Sequence, residues 1–194
     1  MEPNAILDDV PASSGNRLDR KVALTVALLA SFMGVCKVKD DNIVQGMQQA
    51  QADKIDHWAF YQARNLRQEQ AHTTLLQLRL AALSRPAAEQ PGYAAAIGEL
   101  EKLEADQARK KEEVQAQAKQ DQATYDALNY RDDQFDLSDA ALALALSLLA
   151  ITTLTRQRWL YLAALVPTGV GVFYGAAGLF GLPFHPAWLT GWLS

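Results

Sequence analysis

Three stretches of this chain, 22–36, 140–155 and 159–194, contain no Asp, Glu, Lys or Arg, and that absence limits the fold more than any motif does. A helix needs about 20 apolar residues to cross roughly 30 Å of hydrocarbon, and each run reaches or approaches that length once its flanks are counted. The mean hydropathy of the whole chain is close to zero only because a polar stretch of about a hundred residues lies between the first two runs. Window by window the two kinds of segment separate cleanly. The pattern predicts an all-α integral membrane protein with transmembrane helices over 21–39, 137–155 and 159–182, preceded by a flexible N-terminal segment over 1–20.

The polar stretch, 40–136, holds seventeen acidic and eleven basic residues mixed along its length. No basic block stands out, so nucleic acid is not an expected partner. Nothing breaks a helix over 42–83 except Gly46. Pro86, Pro91 and Gly92 mark a turn, and 93–136 again lacks proline. Two antiparallel helices, a coiled-coil-like hairpin outside the membrane, are the expectation. Ile55, Ala59, Gln62, Leu66, Glu69, Thr73, Leu76, Leu80 and Leu83 alternate spacings of four and three, the signature of a pairing seam, with polar interruptions. Ile97, Leu100 and Leu103 continue an apolar side on the return helix, whereas 104–122 has almost none. So thin a core leaves an isolated pair marginal, because tertiary packing rather than propensity holds most helices. Self-association is the expected remedy. The charged run Arg109, Lys110, Lys111, Glu112 and Glu113 reads as a solvated face.

The third apolar run carries Pro167 and the glycines Gly169, Gly171, Gly175, Gly178 and Gly181. Glycines one turn apart let helix backbones approach closely in lipid, so Gly171, Gly175 and Gly178 are expected to pack against the second span or a neighbouring subunit. Pro167 removes an amide donor, and a kink is expected. A broken helix lining a substrate site is the sharper alternative. Phe184, His185, Pro186, Trp188 and Trp192 form an expected interfacial anchor over 183–194. Arg17, Arg20 and Lys21 before the first span, and Arg156 and Arg158 between the second and third, carry the positive-inside signal. They put the N-terminus in the cytoplasm of a bacterial inner-membrane protein and the hairpin outside it. Cys36 is the only cysteine. Its reading is a buried residue near a helix end, since Val35 stands where a lipidation motif wants a small side chain.

The densest chemistry is Trp58, Ala59, Phe60, Tyr61, Gln62, Ala63 and Arg64, shortly after the first span. Three aromatics so close cover a wide arc of one helix, and some partner surface should cover them. Asp53 with His57 and Phe60 with Arg64 stand one turn apart and invite local contacts. This run, with its span, helical region and C-terminal spans, resembles the family known as domain of unknown function 4337. The resemblance extends over nearly the whole chain and implies no activity. No nucleophile with a base, carboxylate pair or metal-ligand spacing is evident, so neither catalytic residues nor a cofactor or metal is expected. The sequence favours a non-enzymatic scaffold that assembles as a homo-oligomer in the lipid bilayer, with another membrane or periplasmic protein as a further partner class. A channel or transporter component, or its accessory subunit, is the alternative.

Overall fold

A computed structural model describes residues 14–184; the expected anchor residues His185, Pro186, Trp188 and Trp192 and most of the segment 1–20 lie outside them. The described residues form three helices and no strand: α1 (Ser14–Leu83), α2 (Gln90–Thr155) and α3 (Arg158–Phe180). All three include stretches long and apolar enough to cross a membrane. The first two run unbroken from apolar to polar stretch, because neither 39–42 nor 136–137 contains a residue that stops a helix. Helix α2 also starts at Gln90 rather than 93. Pro91 falls in its first turn, where the missing amide hydrogen costs nothing.

Two compact units divide the chain, one comprising 1–44 with 129–194, the other 45–128. In the first, the apolar stretches of α1, α2 and α3 pack together. Leu18, Val22 and Leu29 from α1, Leu142, Ala145 and Leu149 from α2, and Ala164 from α3 form the buried cluster. The spacing on α2 explains the fit. Ser138, Leu142, Ala145, Leu149 and Thr152 recur at four and three residues, and all are buried, so one face of the helix stays against its neighbours. Close packing and interhelical hydrogen bonds join the three helices. Such bonds include those from Ser138 Oγ to the Gly171 carbonyl at 2.8 Å and between Thr25 Oγ1 and Tyr161 Oη at 3.2 Å.

The chain reverses between α2 and α3 at Arg156, whose φ of 55° is left-handed, and whose amide donates to the Thr152 carbonyl. Helix α3 then runs through Pro167 without interruption and ends at Gly181 in the left-handed conformation. The Gly181 and Leu182 amides both donate to the Ala177 carbonyl, satisfying a group the helix end leaves free. The sharper expectation, a helix broken at Pro167, is not what forms.

In the second unit, 45–83 of α1 and 90–128 of α2 pair in opposite directions. Small residues permit the approach: Ala50, Ala71 and Ala118 are buried, and a Cβ on Gly46 would come within 3.1 Å of Leu128.

Candidate functional site

Pairing in the second unit uses a different face of α1 from the one the sequence singled out. Lys54 Nζ donates to Gln122 at 3.0 Å, Arg64 to Gln107 at 3.0 Å, and Arg79 to Glu101 at 2.6 Å. Lys111 donates back to Asn65 at 3.1 Å. His57 Nδ1 meets Asp121 at 2.6 Å, and His72 Nδ1 meets Glu104 at 3.0 Å. With Ala50, Tyr61, Ala71 and Leu75, most of these α1 residues make a second four-and-three repeat, offset from the first by about 150° around the helix at 100° per residue. The interface is therefore a polar ladder with alanine between its rungs.

The expected seam is left over. Ile55, Leu66, Leu76, Leu80 and Leu83 are 46–84 % exposed, and Ala59, Gln62, Glu69 and Thr73 are exposed with them. The expectation that this stripe meets the return helix fails for an electrostatic reason. Turning it inward would have sent the Lys54, His57, Arg64 and Arg79 rungs away from their partners on α2. Local contacts expected within the motif fail likewise. Asp53 accepts from Gln49 at 2.8 Å rather than from His57, and Arg64 reaches across to Gln107 rather than over Phe60.

The aromatic motif is split between the two faces. Tyr61 is half-buried, with Lys111 Nζ 6.0 Å from its ring centroid and Trp58 edge-on at 5.3 Å. Trp58 and Phe60 keep 37 % and 58 % of their surface exposed, and Gln62 points out with them. Arg109 pairs with Asp106 and Glu113, and Lys110 pairs with Asp106. These cations hold the Asp106 carboxyl below its ordinary range, hydrogen bonding from Lys110 contributing most.

In the first unit the three glycines meet spans of their own chain. A Cβ on Gly171 would stand 2.5 Å from Leu142 Cγ, on Gly175 2.7 Å from Phe32, and on Gly178 2.8 Å from Phe135. Helix α2 of the same chain meets Gly171 and Gly178, through Leu142 and Phe135, and Phe32 of α1 shares Gly175 with Ser138.

Two residues not singled out in the sequence complete the end of α3. Arg131 donates to the Gly178 carbonyl at 2.9 Å, and Gln134 donates to those of Leu182 and Phe184. A cation beside free carbonyls also complements the negative end of the helix dipole. The available signal was an arginine one to two turns before a span, facing a glycine-capped helix end.

Beside them lies a group of acids. Asp40 is buried and accepts from Lys37 at 2.8 Å. Asp132 is raised to about 6, first by burial, then by a hydrogen bond with Asp40 and the charges of Asp136 and Asp133. Burial and Asp40 raise Asp136 as well. Two carboxyls this close resist simultaneous ionisation. Among the described residues no group of His, Cys, Asp or Glu is arranged to hold a metal ion. Cys36 is buried and free.

Four of the five cations expected to set topology gather at the opposite ends of the apolar stretches, and the fifth, Arg20, is exposed. Arg156 lies 3.9 Å from Asp19. Arg17, Lys21 and Arg158 line a cavity of about 470 Å³ together with Leu18, Tyr161 and Leu162.

Three helices of such length and apolarity, two of them extended by a polar pair, define an all-helical protein with segments suited to spanning a membrane. The family model described as "Domain of unknown function (DUF4337)" matches residues 18–181. The chain belongs to that family. No curated protein and no solved structure matches it.

Proposed function

We propose that this protein is a non-enzymatic scaffold of the bacterial inner membrane, anchored by three spans and self-assembling through its helical hairpin. The observation that carries the reading is the exposed stripe Ile55, Leu66, Leu76, Leu80 and Leu83. Its four-and-three spacing is that of a helix prepared for a helical partner, and the chain's own return helix is engaged elsewhere through the polar ladder. An apolar stripe of this length facing water is costly, and such patches mark interaction surfaces. A second copy offers the same stripe, and a symmetric pair satisfies both at once. Arg17, Arg20, Lys21, Arg156 and Arg158 support a cytoplasmic N-terminus with the hairpin outside.

Conduction has less support. Ser147, Thr152, Thr153 and Thr168 each donate to a carbonyl one turn back on their own helix, so their protons are not free for donation to a passing anion. The scaffold reading is tested with full-length protein in nanodiscs. Native mass spectrometry of the wild type should give a multiple of the chain mass, and Leu76→Glu with Leu80→Glu should reduce it to a single chain while helicity is kept. A monomeric wild type, or an unchanged mass in the variant, would overturn the proposal.

A further inference from the structure

The cavity between the starts of the first and third spans has a composition that selects its ligand. Arg17 and Lys21 come from successive turns of α1 and Arg158 from the first residue of α3, so three cations from two helices converge on about 470 Å³. Among the described residues no carboxylate lines it. The nearest acid on α1, Asp19, is engaged with Arg156, and among the described residues no ion pair is formed by Arg17, Lys21 or Arg158. The three cations are exposed, and a concavity lined by one sign of charge concentrates the field and attracts an anion. The remaining walls are apolar or amphipathic. Leu18 and Leu162 lie beside the cations, Tyr161 is fixed by Thr25, and Trp159 next to Arg158 is 63 % exposed, as aromatic residues at a membrane interface are.

We infer that this cavity binds the phosphate of an anionic phospholipid, with Arg17, Lys21 and Arg158 on the headgroup and Leu18 and Leu162 against the first acyl carbons. Guanidinium groups match phosphate oxygens in a fork, and lysine adds a point charge. Basic clefts between membrane helices on the cytoplasmic side are where acidic headgroups collect. A freely diffusing phosphate offers the same anion but leaves the leucine walls and the exposed tryptophan unexplained. The inference rests on the spans lying in a membrane and is independent of whether the hairpins self-assemble.

The test uses full-length protein in nanodiscs containing equal phosphatidylglycerol and phosphatidylcholine, released into detergent and weighed with its retained lipid by native mass spectrometry. Phosphatidylglycerol should be retained in preference to phosphatidylcholine, and Arg17→Gln with Arg158→Gln should weaken retention by about fivefold per charge removed. Lys102→Gln with Lys119→Gln, exposed cations of the second unit that do not line the cavity, should retain lipid like the wild type. Equal retention of both lipids by the wild type would overturn the inference, as would equal loss in the control variant. Displacement of the lipid by millimolar inorganic phosphate would also overturn it and assign the cavity to a free anion. Should the double variant fail to fold, the wild-type lipid preference and the phosphate competition still decide.

Discussion

Gly171→Ala is expected to destabilise the three-span bundle although it adds only one methyl group. The new Cβ would lie 2.5 Å and 2.7 Å from Leu142 Cγ and Cδ2 and 3.1 Å from the Ser138 carbonyl oxygen. Leu142 is fully buried, and the third neighbour is backbone, so neither can withdraw cheaply. Overpacking of this kind costs about 1–3 kcal/mol. Separating α2 from α3 also stretches the 2.8 Å bond from Ser138 to the Gly171 carbonyl, worth about 1 kcal/mol more. Gly169→Ala is the matched control. Nothing lies within 4 Å of its added Cβ, and replacing a mid-helix glycine by alanine stabilises by about 0.5–1 kcal/mol. Gly171→Ala shares that helix gain, so the two variants should differ by the packing and hydrogen-bond losses alone, about 2–4 kcal/mol, or roughly 4–16 °C in unfolding midpoint for a chain of this size. Thermal unfolding in nanodiscs followed by circular dichroism measures the difference. Equal midpoints, or Gly171→Ala as the more stable variant, would refute the close packing of α3 on α2.

Asp132 gives a pH dependence. Its folded value is raised to about 6, so the unfolded chain releases this proton first; stability should fall as pH rises from about 4 to 6 and level off above. The rise corresponds nominally to about 3 kcal/mol, and solvent screening of this part-exposed carboxyl reduces it to about 1 kcal/mol. Asp132→Asn should flatten that limb in a denaturation series across this pH range, and an unaltered slope would contradict the assignment. Asp121→Ala should lower hairpin stability by about 1 kcal/mol by leaving His57 without its 2.6 Å partner, measured as faster amide exchange around 54–61. Arg131→Gln should fray the end of α3 by removing the cation from its free carbonyls, costing about 0.5–1 kcal/mol, visible as increased exchange at 178–182.

The three apolar helical stretches were legible because absence of charge over a helix length is read directly from the sequence, and glycine one turn from glycine announced the close side of α3 before its partner was known. The hairpin seam was not legible. Two four-and-three repeats coexist on α1, and hydrophobicity alone favours Ile55, Leu66, Leu76, Leu80 and Leu83 for the inside. What decides is the complementary order of charges and amides on a helix 32 to 68 residues away, Asp121, Gln122, Gln107 and Glu104, and a pattern on one stretch of sequence cannot reveal a pairing. Local partners misled for the same reason, since His57 prefers Asp121 across the pair to Asp53 one turn back. The cluster of Arg17, Lys21 and Arg158 was visible only as a topology signal, because its concavity exists only once α3 returns beside α1.

The central claim is that the leucine stripe on α1 joins one chain to another, and site-specific disulfide trapping in native membranes tests it most directly. In a Cys36→Ala background, Leu80→Cys on the 68 % exposed stripe should give a covalent dimer under mild oxidation. Leu75→Cys, buried against the return helix, and Gln117→Cys, exposed on α2, should not. Failure of Leu80→Cys to crosslink, or equal yields at all three positions, would contradict self-assembly through this face.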